Sequence, residues 1–461
     1  MSSLADRIRG VISTGNRATR EAGLAIPDSR LPIDGSRPAA PDARLSTPAS
    51  IDLSPLGGSW QSESFVVDRR WNPDARHGRD EIGAMAASLD RCSHEAMLFA
   101  AGAPQVPFVF FDLETTGLNG GAGTLAFLVG CGWFESDGAF RTRQFLLTRY
   151  ADERRLLESV AEEFARAGAL VSFNGKSFDA PLLETRYLFH RLPWAGSGMP
   201  HVDVLHPARQ FWRRRPLERQ PVRGYSMATE LSGRDSDSGC SLVALERQIL
   251  GSRRSGDVPG FEIPGRYFQF VRGGDARPLE AVLEHNRLDL LTLAALTARL
   301  LQLAHAGPGA ARDGREALAL ARAYARSGRD HHAIAALEQA VATCDRSPSG
   351  ASSAQVKIES LRMLAILLRR ARHYADAAGC WRRILEMRRC PPAIVREATG
   401  ALAIHHEHRE RDLMAAKTFA LLSVEQRPDV AWREAARHRV ARLEKKIANN
   451  ELRLESLKFE A

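Results

Sequence analysis

Asp112 and Glu114 stand two residues apart in the run Phe108-Val109-Phe110-Phe111-Asp112-Leu113-Glu114-Thr115-Thr116-Gly117-Leu118. The run opens apolar and aromatic, which reads as a buried β-strand. Strand side chains alternate between faces, so the two acids project from the same side. Carboxylates set side by side at the end of a buried strand repel each other. A bound divalent cation explains such a pair where a structural role does not. The run is therefore expected to be half of a metal site, with its remaining ligands downstream.

Two later stretches offer candidates. Asp179 closes Phe173-Asn174-Gly175-Lys176-Ser177-Phe178-Asp179, where a short strand gives way to a helix running through Leu188. Ser177 suits the N-cap of that helix. An acid in the first helical turn also simply complements the helix dipole. His285 and Asp289 lie in His285-Asn286-Arg287-Leu288-Asp289, inside a strongly helical pattern from residue 278 to about 305. Four residues apart, they share one helix face, as a plain surface pair would. A third stretch, Arg209-Gln210-Phe211-Trp212-Arg213-Arg214-Arg215, interleaves bases with aromatics. That suits a nucleic-acid strand through phosphate contact and base stacking. An amphipathic helix with a solvated basic face has the same composition.

The elements that must position these residues follow from the spacing. Residues 64–67 read as a strand and 81–89 as a helix. Residues 125–134 and 140–147 read as two more strands, making an antiparallel meander with the acid-bearing one. The Gly-rich loop at 119–123 leads into a strand and not a helix, which sets a dinucleotide site aside. Helical spacing returns at 153–167, a strand at 169–173, and a short strand entering a helix at 201–206. A surface loop is expected over 216–239, a helix over 241–250 and a turn over 259–264. Beyond Gly307-Pro308-Gly309 the chain turns Ala- and Arg-rich and wholly helical. Ala317, Leu320, Ala321, Tyr324, Gly328, Ala333, Leu337 and Ala340 fit a tetratricopeptide pattern. A second copy runs from Leu361 to Ile384, a weaker third from Leu402 to Leu422, and residues 431 to about 457 read as a closing helix. His405-His406-Glu407-His408 point in different directions on a helix and read as a solvated repeat surface.

The 461 residues suffice for two or three domains. Hydrophobic content of 44% and charged content of 26% are those of an ordinary globular chain. A net charge of +9 favours a polyanionic partner. The six cysteines form no CxxC pair, which argues against a zinc ribbon or a disulfide framework and fits a reducing compartment. No apolar run is long enough to span a membrane, and the N-terminus lacks a signal-peptide core. A soluble, cytoplasmic protein with no membrane partner is expected.

Asp112, Glu114, Asp179 and Asp289, in that order and in those motifs, resemble the DEDD (DnaQ-like) 3′–5′ exonuclease superfamily of RNase H-like fold. More narrowly, the chain resembles the YprB-like branch, which carries tetratricopeptide-like repeats. The resemblance implies an α/β domain, a mixed five-stranded sheet with flanking helices, followed by an all-α repeat domain. The expected division is a flexible, disordered segment over 1–60, a lead-in over 61–105, the RNase H-like exonuclease domain over 106–304 and repeats over 312–461. It also implies that the four acids hold two divalent cations, Mg²⁺ or Mn²⁺, with His285 as general base. Members with a catalytic His place it five residues before the last Asp and members with a Tyr four before; here a His stands at four, and Asn286 offers an alternative orienter of water. Thr115 and Leu118 match positions that contact the terminal nucleotide, Asn174 and Lys176 lie where phosphate would pass, and Arg213 and Arg214 add basic contacts. The implied partner is DNA or RNA with a single-stranded 3′ end, with a protein partner possible through the repeats. The alternative is a repeat-based scaffold whose nuclease-like domain is idle and only binds nucleic acid.

Overall fold

The computed structural model describes residues 51–61, 63–117, 123–213, 239–347, 351–388, 390–425 and 430–459. The expectations of disorder over most of 1–60 and of a loop over 216–239 therefore fall outside, or almost wholly outside, the described residues. So do Leu118 and Arg214.

The strands are β1 (Ser59–Gln61), β2 (Ser64–Trp71), β3 (Arg76–His77), β4 (Asp80–Glu81), β5 (Phe108–Thr115), β6 (Ala126–Phe134), β7 (Phe140–Leu146), β8 (Ala169–Ser172) and β9 (His201–Asp203). Seven of them form one sheet in the order β1-β2-β7-β6-β5-β8-β9, while β3 and β4 make a small ribbon. β5, β6 and β7 are the antiparallel meander, and β8 and β9 join β5 in parallel register. The five strands from β7 to β9 are those the resemblance implies. The sheet is wider because β2 pairs with β7 along its whole length and carries β1 with it. The stretch read as a lead-in thus completes the sheet.

β5 is central and buried on both faces, which is why its apolar run is nearly continuous. Phe108 and Phe110 pack in one core with Leu290 and Leu293 of the long helix Glu280–Ala306. Val109, Phe111 and Leu113 pack in the other, with Phe164 of the helix Glu153–Phe164 and Leu183 of the helix Asp179–Phe189. Asp112 and Glu114 continue the Phe108–Phe110 face, so they emerge towards the long helix. Gly130 lies opposite Asp112 on β6, and the β5–β6 register shifts between Glu114 and Thr115. The bulge re-aims side chains at this point, and Gly130, without a side chain, leaves room for Asn286 to approach.

A helix that the sequence reading does not include follows residue 260. Where a turn is expected over 259–264, a helix Ile263–Gly273 begins with Pro264 in its first turn, and Tyr267 stacks on Phe127 with ring centroids 4.1 Å apart. From Gly314 onward the described chain is all helix: Gly314–Arg326, Asp330–Arg346, Ala351–Arg370, Tyr374–Leu385, Pro392–His405, Leu413–Glu425 and Val430–Phe459. Successive helices pack side by side, and Ala333, Leu337, Leu361, Ala365 and Trp381 share one buried cluster with Phe108 and Leu290. The core is therefore continuous from the sheet through the long helix into the helical stack. In the His405–His408 stretch, Glu407 is buried and takes Arg442 at 2.6 Å and Lys446 at 2.7 Å. That acid ties the last helix down and does not lie on a solvated surface.

Candidate active site

Each of the predicted acids arrives on a different support. Asp112 and Glu114 come from the end of β5, Asp179 opens the helix Asp179–Phe189, and Asp289 sits one turn past His285 on the long helix. All four are half-buried, so the cluster borders solvent. Burial, then the negative charges of Asp289, Glu114 and Asp179, push the Asp112 carboxyl well above the usual carboxylate range. Glu114 is pushed up well above its usual value by burial and by Asp289, Asp179 and Asp257. Asp179 rises to about 7 through burial and the charge of Asp203. Burial also raises Asp289, against the opposing pull of Arg254 and His285. The charges of Asp289 and Asp179 therefore reach both Asp112 and Glu114, and like charges so arranged favour a bound cation.

The loop before Asp179 is built from the far edge of the sheet. Asp203, 1% exposed at the end of β9, accepts from the backbone N–H of Asn174 at 2.7 Å, of Lys176 at 3.1 Å and of Leu205 at 3.1 Å. Asn174 adopts a left-handed backbone, φ 67°. Asp203 therefore orders the loop ahead of the helix, while the helix itself begins at Asp179 without a side-chain cap, and Ser177 is not its N-cap. Lys176 is exposed at the tip of this loop. His201, beside Ser172 Oγ at 2.7 Å, is held neutral, its pKa lowered to about 4 by burial and by the Lys176 charge.

The long helix brings two neighbouring side chains to different tasks. Asn286 is fully buried; its Nδ2 donates to Asp112 Oδ2 at 2.9 Å and its Oδ1 accepts from Gln144 Nε2 at 2.9 Å. With both ends of its amide engaged by protein, Asn286 is not the orienter of a water molecule. His285 lies between two acids, its Nδ1 2.6 Å from Asp257 Oδ1 and its Nε2 3.5 Å from Asp289 Oδ2. The carboxylate on Nδ1 orients the imidazole and turns Nε2 towards Asp289.

Asp289 is itself held. Arg254, with a side chain 3% exposed, reaches Asp289 Oδ1 at 2.6 Å, Glu246 Oε2 at 2.7 Å and Asp257 Oδ2 at 3.3 Å. Burying a guanidinium is tolerated because three carboxylates surround it. Sequence reasoning missed Arg254, Asp257, Glu246 and Gln144. Arg254 and Asp257 lie in the irregular segment after Gly251, where no periodicity marks them. Gly130 is the one advance signal, a strand-interior glycine opposite an acid.

The remaining predicted residues are dispersed. Thr115 Oγ1 donates to the Gly117 carbonyl at 2.9 Å, shaping the end of β5. In the basic stretch Phe211 and Trp212 are buried in the core, and Trp212 Nε1 donates to Glu316 Oε1 at 2.9 Å. These aromatics are therefore unavailable to stack on bases; Arg213 is exposed beside them.

Comparison with known proteins agrees with this architecture. Residues 109–301 match the family model described as RNase_H superfamily. The chain is also 29% identical over 361 residues to "Uncharacterized protein YprB" of Bacillus subtilis (strain 168), covering 76% of this chain and 78% of that protein. Among the described residues no helix is long and apolar enough to cross a membrane. The matched segment spans β5 to the long helix and includes all four acids, and the chain has an RNase H-like fold.

Proposed function

We propose that this protein is a divalent-metal-dependent nuclease of the DEDD type, acting on DNA or RNA from a single-stranded 3′ end. The observation that supports this reading is electrostatic: the charges of Asp289, Glu114 and Asp179 raise Asp112, and those of Asp289 and Asp179 raise Glu114, as expected of acids that share one half-buried recess. An RNase H superfamily domain points to phosphodiester hydrolysis. Four hard oxygen donors suit Mg²⁺ or Mn²⁺ better than zinc. Ions held there would activate the attacking water and stabilise the leaving oxygen.

The protein's own groups have separable duties in this scheme. Asp112, Glu114 and Asp179 present the ligand oxygens, and Asp289 adds Oδ2 while Arg254 holds its Oδ1. His285 takes the proton from the attacking water at Nε2, with Asp257 accepting from Nδ1. Lys176 and Arg213 are exposed for phosphate contact, and Thr115 borders the end of β5. The helical region supports a protein-binding role beside the nuclease. It holds a cavity of about 300 Å³ lined by Ile366, Trp381, Ile404 and Trp432, among others. Tetratricopeptide-like repeats over 312–461 are part of the same reading.

End-labelled DNA and RNA oligonucleotides incubated with Mn²⁺ test the proposal. Products shortened one nucleotide at a time from the 3′ end are expected, and none from Asp112→Ala. Mid-chain fragments would make the enzyme an endonuclease. Undiminished hydrolysis by Asp112→Ala would remove the site assignment.

A further inference from the structure

Away from the carboxylate recess, three side chains with metal-ligand chemistry meet at the far end of the long helix. His94 and Glu95 lie on the 3₁₀ segment Ser93–Leu98, directly after the helix Ile82–Cys92, and His305 is in the last turn of Glu280–Ala306. One nitrogen of each histidine and one Glu95 oxygen all lie within 4.8 Å of one another. His94 Nε2 is 3.1 Å from Glu95 Oε1, and the two imidazoles meet edge to face with centroids 5.4 Å apart.

The surroundings separate this group from an ordinary surface ion pair. Glu95 is 6% exposed, whereas both histidines are open to solvent. Its Oε2 is occupied by Arg329 at 2.7 Å, on the turn that opens the helix Asp330–Arg346. Arg329 therefore already balances the Glu95 charge. Oε1 is left facing His94. Ligands at about 2.0–2.1 Å in a tetrahedron stand roughly 3.3 Å apart, close to the present His94–Glu95 spacing. The nearest His305 nitrogen lies within 4.8 Å of both.

We propose that His94, Glu95 and His305 form a metal site that takes one Zn²⁺-class transition ion. Two imidazoles and a carboxylate suit such an ion, and the all-oxygen recess does not compete for it on equal terms. The ion would clamp the Ser93–Leu98 segment to the end of the long helix, beside the point where Arg329 joins the helical stack. It would leave a coordination position open to water or to a ligand from a partner.

The test uses the full chain after chelator treatment, in the Asp112→Asn background so that the carboxylate recess contributes no site. Zn²⁺ is titrated by calorimetry and Co²⁺ by visible absorption. One equivalent and a tetrahedral cobalt band are expected, both lost on adding His94→Ala or His305→Ala. His94 is exposed, so its replacement leaves folding intact, which circular dichroism verifies. Equal Zn²⁺ binding with and without either histidine would overturn the proposal, as would the absence of any Zn²⁺ binding. In the Asp112-containing chain the two histidine variants should keep Mn²⁺ binding unchanged, so failure here is distinguishable from failure of the nuclease reading.

Discussion

Asn286 Nδ2 donates to Asp112 Oδ2 at 2.9 Å, bridging positions 174 residues apart in the chain. The same amide is held from behind by Gln144, and its oxygen sits over Gly130. The orientation of the first acid therefore depends on a side chain from the last motif and on a strand position without a side chain.

Gly130→Ala tests that dependence. A Cβ at position 130 would stand 2.2 Å from Asn286 Oδ1 and 2.9 Å from Leu290 Cδ1. Overpacking of this kind costs about 1–3 kcal/mol. Urea unfolding should show that loss, together with a weaker Mn²⁺-induced rise in Tm. Unchanged stability would mean that Asn286 is free to move.

Neutralising Asp112 should separate stability from function. In the metal-free protein Asp112→Asn removes one charge from a cluster of mutually repelling carboxylates, so Tm should rise, with a gain of about 1 kcal/mol. The stabilisation of the wild-type protein by Mn²⁺ should vanish in the variant. A lower Tm for the metal-free variant would assign Asp112 a structural role.

Asp257→Asn addresses the proton acceptor. Asp257 accepts from His285 Nδ1 in the scheme above, and an amide there permits the other tautomer, with Nε2 protonated. Hydrolysis should slow about tenfold or more, through kcat with little change in KM. A change confined to KM would place Asp257 in substrate binding.

His201 gives a pH signature. Its pKa falls from 6.5 to about 4 in the folded protein, so between those values the unfolded chain binds the extra proton. This contribution to stability is present above pH 6.5 and is lost as pH falls towards 4. His201→Gln, which keeps a partner for Ser172, should lose less stability than wild type between pH 7 and pH 5 in parallel urea titrations. Equal losses would mean that His201 is protonated without penalty.

The order of elements was largely legible because local rules govern it. β5 to β7 alternate or run apolar with short turns between them, and the long helix carries unbroken apolar spacing, so both are visible in a single pass. The positions of the four acids on these elements followed for the same reason: Asp112 and Glu114 lie towards the end of a strand, Asp179 opens a helix, and Asp289 lies within the long helical pattern. Ser177 misled because a serine two residues before a helix resembles a cap, whereas Asp203 arrives from another strand to bind the same loop. Phe211 and Trp212 left two readings open because aromatics beside arginines have the same spacing whether they face a base or a core.

Residue type and spacing determined by themselves which side chains can hold hard cations, and on which elements they ride. Folding alone decided who restrains them. Arg254 on Asp289, Asp257 on His285, Asn286 on Asp112 and His305 beside His94 are contacts across sheet and helix. They depend on how segments pack, and side chains remote in the chain leave no periodic trace of that in the order of residues.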